Sequence, residues 1–138
     1  MSHPILDFKR AYLAMRRALE QTIKPFDFSV AQFDVLQILM HEDGLEHREL
    51  QKRLAVASPT LTNVLDRMER DGHVVRRSDA SDGRIKRIYL GESARTLCWS
   101  DAFCEAGDAL VGKMFRGFSD DERHMFGRML NRIEKNLE

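Results

Sequence analysis

The sequence predicts a mostly helical chain with one small β-hairpin, an α+β architecture, and three observations carry that prediction. The 138 residues are 43% hydrophobic and 32% charged with no net charge, the composition of a single globular domain able to bury a core. Most of the chain places apolar residues at three- and four-residue steps, the helical period. Residues 72–91 switch to β-branched and aromatic residues on either side of an Asp-Gly step, the signal of a hairpin.

Each element can be justified in order. Ile5, Phe8, Tyr12, Met15 and Leu19 mark a first helix with the spacing of one helix packed along another, and Pro25 stops it. Ser29 with Gln32 forms a capping box, and the run VAQFDVLQILM behind it is apolar nearly all round, so that helix belongs in the core. Gly44 ends it. A short helix is expected from about Glu46 to Leu54, with Leu50 and Leu54 inward, and Ala55-Val56-Ala57 reads as a turn. Ser58 is an expected N-cap with Pro59 at the first helical position. Leu61, Val64, Leu65 and Met68 then form one apolar stripe, opposite Pro59, Asn63, Asp66, Arg67 and Arg70, with Thr60 and Thr62 on the flanks. Gly72 supplies the left-handed stop. Strands follow at His73–Ser78 and Ile85–Leu90 around the turn 79–84. One long helix is expected from about Glu92 to Arg116. A second capping box, Ser119 with Glu122, opens a last helix with Met125, Phe126, Met129, Leu130, Ile133 and Leu137 on one face.

Helix, turn, helix and two-stranded ribbon in that order make a winged helix-turn-helix. A helix of this size fits a major groove, and a basic ribbon beside it reaches phosphates or the neighbouring minor groove. The stretch 72–91 carries Arg76, Arg77, Arg84, Lys86 and Arg87 against Asp79 and Asp82, a net charge of +3 in a chain that is neutral overall. An ordinary solvated face accounts for the helix taken alone; the adjoining basic hairpin favours phosphate contact. The candidate DNA-binding residues are therefore Ser58, Pro59, Thr60, Thr62, Asn63 and Arg67 on the helix, with Arg77, Arg84, Lys86 and Arg87 on the wing. Arg84, nearest the tip, is placed in the minor groove.

The segment PTLTNVLDRMERDGHVVRR and the D-x-x-D-G-R turn followed by I-x-L resemble those of MarR-type transcriptional regulators. The likeness extends over nearly the whole chain in length and order of elements. Ser81 stands where such proteins often have arginine, and Gly91 and Ala94 where threonine and glycine are common. The resemblance implies a single domain over 1–138, with a DNA-binding lobe at about 29–91 and dimerisation helices at about 1–25 and 92–138. It also implies a symmetric dimer, a repressor more than an activator, and release from DNA by a small effector, often an aromatic or phenolic acid. The residues point to the dimer independently. The apolar seams of the first and last helices have little inside one small lobe to cover them, so a second subunit is expected, with an intrachain bundle as the alternative. A two-fold dimer sets two recognition helices about 34 Å apart and calls for a pseudo-palindromic operator.

Other classes find little support. No P-loop, G-x-S-x-G or G-x-G-x-x-G occurs, so no enzyme and no cofactor is expected. His41, Glu42, Asp43, Glu46 and His47 cluster without tetrahedral ligand spacing, so no metal site is expected there. No apolar run approaches the ~20 residues of a membrane span, no signal-peptide pattern is seen, and two cysteines make no disulfide framework, which together lead to the expectation of a cytoplasmic protein. Arg16 is the candidate carboxylate partner of an effector and Trp99 its stacking face, although a solvated charge and a packed aromatic explain them as well. Cys98 and Cys104 are candidates for a thiol switch; on one continuous helix they fall about 240° apart, so only a bridge across the dimer is open to them. A winged helix used for protein contact alone is a further alternative.

Overall fold

The computed structural model describes residues 3–54 and 58–138. Helix α1, Pro4–Ile23, runs into a tight 3-10 turn at Lys24–Phe26. That turn ends at Asp27 in the left-handed region, φ 60°. Helix α2, Val30–His41, starts at the expected capping box: Ser29 Oγ accepts from the Gln32 N–H at 3.2 Å, and Gln32 Oε1 accepts from the Ser29 N–H at 3.0 Å. Its Val35, Leu36 and Leu39 are buried, as the all-round apolar pattern requires.

A two-residue strand, β1 at Leu45–Glu46, precedes α3 at His47–Leu54. Sequence reading had no strand here, because two residues carry no period. Gly44, at φ 73°, turns the chain into β1, and a Cβ there would press on the Tyr89 ring. Helix α4 spans Ser58–Arg70, so Ser58 is its first residue rather than its cap. The expected turn at Ala55-Val56-Ala57 lies outside the described residues. Strands β2, Val74–Ser78, and β3, Lys86–Leu90, form the wing, and β1 adds to its other edge in the antiparallel order β1-β3-β2. Ile88 pairs with Leu45 on one side and Arg76 on the other.

The core joins the lobe to the end of α1. Leu36, Leu39, Leu50, Leu61, Leu65, Met68, Val74 and Ile88 are all essentially inaccessible, and each such side chain contributes about 1.5–3 kcal/mol through burial. The stripe of α4 thus seats that helix on α2 and α3. At the exit of the wing, the Gly91 N–H donates to the His73 carbonyl at 2.7 Å. A Cβ on residue 91 would overlap the Gly72 carbonyl, so the close approach of two backbone segments demands glycine.

The long helix expected after the wing is two helices, α5 at Glu92–Cys98 and α6 at Asp101–Met114. Ser100 makes the break. Its backbone is extended, φ −71° and ψ 148°, and its hydroxyl donates to the Leu97 carbonyl at 2.7 Å while accepting from the Phe103 N–H at 3.3 Å. A serine that bonds backbone on both sides closes one helix and caps the next. Continuous apolar periodicity masked this signal. Helix α7, Asp120–Leu137, begins at the second capping box, Ser119 with Glu122, and has no buried residue. Among the described residues no helix is long and apolar enough to cross a membrane.

Candidate nucleic-acid interface

Burial of Leu61, Leu65 and Met68 fixes the rotation of α4 and turns Pro59, Thr60, Asn63, Arg67 and Arg70 outward, with Thr62 half-buried. Ser58 Oγ lies 3.4 Å from His47 Nε2, so the first turns of α3 and α4 meet. The two helices of the motif are therefore held together where the chain enters α4.

The wing sorts its basic residues into two kinds. Arg84 projects from the tip with its side chain 91% exposed, paired at 3.2 Å with Asp82, its neighbour in the turn. Lys86 reaches Ser78 Oγ at 2.7 Å across the hairpin, and exposed Arg77 lies over the Tyr89 ring, 5.6 Å from its centroid. Arg87 points back into the lobe. Its Nε donates to Asp79 at 2.7 Å, a second N–H donates to the Gly44 carbonyl at 2.9 Å, and Glu46 stands 3.7 Å away. Asp79 also accepts from the hydroxyl and N–H of Ser81. The Ser81 hydroxyl and then the Arg87 guanidinium hold its carboxyl well below the usual carboxylate range. Ser81 is thus a turn-former here.

Arg76, a contributor to the positive stretch but no candidate for contact, has a defined task. It donates to Asp66 at 2.6 Å and to Glu69 at 3.0 Å, and its own backbone N–H donates to Glu69 at 3.2 Å. One arginine therefore ties β2 to the outer side of α4 and holds the Glu69 carboxyl below its ordinary range. No local spacing rule finds this contact, since the partners lie on two elements separated by the Gly72 turn. With Arg76 and Arg87 bound internally, the cations presented outward are Arg67 and Arg70 on α4 and Arg77, Arg84 and Lys86 on the wing.

Arg16 and Trp99, the two expected effector residues, are not brought together. Arg16 contacts the Tyr12 hydroxyl at 3.4 Å and Glu20 at 3.6 Å. It lines a cleft of about 780 Å³ between the end of α1, the start of α2 and the outer face of α4, shared with Lys24, Asn63 and Arg67. Trp99 caps α5 at the Ser100 break and is 72% exposed, away from that cleft. The cysteines are likewise on separate helices, so the expected separation around one helical wheel does not apply. Cys98 is buried, which pushes its thiol up, and exposed Cys104 donates its S–H to the Cys98 carbonyl at 3.5 Å. Around Gly44, Glu42 engages Arg53 at 2.7 Å, Asp43 engages Arg95 and the Leu90 N–H, Glu46 stands beside Arg87, and His47 meets Ser58.

A three-stranded sheet packed on a helix-turn-helix, with long helices before and after it, defines a winged-helix protein. Comparisons with known proteins find similar chains among regulators. The family model described as MarR family matches residues 28–86, almost the whole winged lobe. The chain is 37% identical over 84 residues to the HTH-type transcriptional regulator TtmR of Methylorubrum extorquens, covering 61% of this chain and 43% of TtmR, so it spans under half the length of that relative. It is 29% identical over 127 residues to the HTH-type transcriptional repressor YetL of Bacillus subtilis, covering 89% of this chain and 74% of YetL. A mutant MarR from E. coli, complexed with operator DNA, superposes with a TM-score of 0.80 at 25% identity, over 91% of this chain and 89% of that one. The match to the MarR family model lies on the winged lobe of this chain.

Proposed function

We propose that this protein is a homodimeric, sequence-specific DNA-binding regulator, acting as a repressor. The single observation that carries the reading is the shared surface of α4 and the wing: Thr60, Asn63 and Arg67 face outward on a helix of groove-fitting size, and Arg84 projects into solvent from the tip, tied only to Asp82 of the same turn. In this reading Ser58, Pro59 and Thr60 approach the backbone at the start of α4, while Thr62 and Asn63 read base edges. Arg67, Arg77 and Lys86 meet phosphates, and Arg84 enters the minor groove. Arg87 serves the site from behind by fixing the wing. The operator complex of E. coli MarR and the repressor name of YetL support the same reading.

The cleft holding Arg16, Lys24 and Arg67 is the place for an anionic effector. A carboxylate there would draw on Arg16 and compete for Arg67, whose free guanidinium the DNA needs. A ligand of this kind relieves repression only by preferring the DNA-incompetent conformer. Selection of bound sequences from a random duplex pool tests the function. The expected product is a pseudo-palindrome, with Arg67→Ala lowering the salt slope of binding by about one. Failure to retain any duplex at low salt overturns the proposal and leaves a winged helix used for protein contact. A calorimetric titration with aromatic carboxylates, with Arg16→Ala as control, tests the effector site; no heat from any of them removes it.

A further inference from the structure

The three-stranded sheet turns one face to the core and the other outward. Val74, Ile88 and Leu90 are buried on the inner face. The register pairs Val75 with Tyr89, Arg77 with Arg87 and Glu46 with Arg87, so these side chains share the outer face. Arg77 and Arg87 stand directly opposite each other, a pairing of like charges that costs stability unless each finds another partner. Arg87 takes Asp79, the Gly44 carbonyl and Glu46. Arg77 lies instead over the ring of Tyr89, its diagonal neighbour across the strand pair, with its guanidinium carbon 5.6 Å from the ring centroid.

The ring is itself seated. A Cβ on residue 44 would stand 2.8 Å from Tyr89 Cε1 and 3.2 Å from Cζ, so the ring occupies the space that a side chain at Gly44 would need. Gly44 is pinned on both sides: its N–H donates to Asp43 Oδ1 at 3.1 Å, and its carbonyl accepts from Arg87 at 2.9 Å. The same Asp43 oxygen accepts from the Leu90 N–H at 2.8 Å, one residue beyond Tyr89 in the strand. Backbone, ring and guanidinium therefore form one stack, Gly44 under Tyr89 and Tyr89 under Arg77. Arg77 differs in this from Arg84, whose partner is a carboxylate of its own turn. A ring face, unlike a carboxylate, leaves the positive charge unneutralised for a phosphate. A long side chain already held in place also loses less conformational freedom when that phosphate arrives.

We propose that Tyr89, seated on Gly44, is a positioning residue for DNA binding: it holds Arg77 ready for a backbone phosphate. The proposal rests on the DNA reading given above. The probe is a duplex carrying the sequence recovered from the random pool, titrated by fluorescence anisotropy over a range of salt. Arg77→Ala should weaken binding and lower the salt slope by about one. Tyr89→Leu removes the ring face and should weaken binding about three- to tenfold, and Tyr89→Phe, which keeps the ring, should restore the parental affinity. In the Arg77→Ala background Tyr89→Leu should add no further loss, because Tyr89 acts through Arg77. A ring that merely braced the wing would also cost Arg84 and Lys86 their contacts, and the two losses would then add. Nitrogen relaxation on the free, unaltered protein gives a second measurement: the Nε–H order parameter of Arg77 should exceed that of exposed Arg70 on α4. Parental binding by Tyr89→Leu, a Tyr89→Phe protein as weak as Tyr89→Leu, additive losses in the double variant, or an Arg77 as mobile as Arg70 overturns the proposal. Any of these in a parent that binds the duplex sinks the Tyr89 assignment alone, whereas a parent that retains no duplex sinks the DNA reading and this proposal with it.

Discussion

Arg84 and Arg87 stand three positions apart on one hairpin and meet opposite surroundings. Arg84 is solvated at the tip; Arg87 holds Asp79, the Gly44 carbonyl and Glu46 in one grip. Composition weighs them equally, and only the fold separates them. Their alanine variants should therefore separate two measurements. Arg84→Ala should weaken operator binding roughly tenfold with an unchanged melting temperature. Arg87→Ala should lower the melting temperature, since it strands the Asp79 carboxylate and frees the β1 edge, and should weaken binding only as far as the wing loosens. Calorimetric melting beside fluorescence anisotropy distinguishes them; an Arg84→Ala protein that melts lower and binds normally would reverse the assignment. Gly91 is a second residue whose role depends on a distant backbone. Substitution by alanine drives a methyl group into the Gly72 carbonyl and should cost about 1–3 kcal/mol in urea unfolding.

At the scale of elements, α4 and the wing behave as one unit because Arg76 bridges them. The bridge has a pH signature. Arg76 holds Glu69 below its ordinary pKa, and Asp79 is held low in the same direction. A carboxyl depressed in the folded state contributes stability that is fully present above the unfolded value, about 4.3 for glutamate, and is lost as pH falls through the folded value. Glu69→Gln should therefore be less stable than the parent near neutrality, with the gap closing as the solution is acidified. Urea midpoints at pH 7, 5 and 3.5 check this; a gap constant with pH refutes the coupling. What the sequence made legible follows the same division. The recognition helix, both capping boxes, the glycine stop and the hairpin rest on local rules and could be read directly. Strand β1 was too short to have a period, and the break at Ser100 hid inside unbroken apolar spacing. The Arg76 bridge joins residues that no helical or strand repeat connects. Of the candidate site, the helix face was readable from its stripe, whereas the division of the wing cations into bound and free required the partners in space.

At the scale of the whole molecule, α7 is an 18-residue amphipathic helix with no buried residue, and α1 leaves Ile5, Phe8 and Tyr12 exposed. An isolated helix of that length is marginal in water, and its stability ordinarily comes from packing. Met125, Met129 and Ile133 therefore need a partner surface. The seams at the two chain ends supply one if two copies meet about a two-fold axis, the arrangement proposed above. In such an interface each residue occurs twice, so a substitution counts twice. Ile133→Asp removes about 2 kcal/mol of apolar burial on each copy, or about 4 kcal/mol per dimer, which weakens association roughly a thousandfold. Equilibrium sedimentation should show a dimer for the parent and monomer for the variant at micromolar concentration. The consequence for DNA is specific. A monomer still presents α4 and Arg84, so it should retain half-site contact, yet it neutralises about half as many phosphates. The salt slope of operator binding should then fall to about half, and sensitivity to the spacing between half-sites should disappear. A monomeric variant that keeps the full slope and the spacing preference would show that the terminal helices do not set the distance between recognition helices.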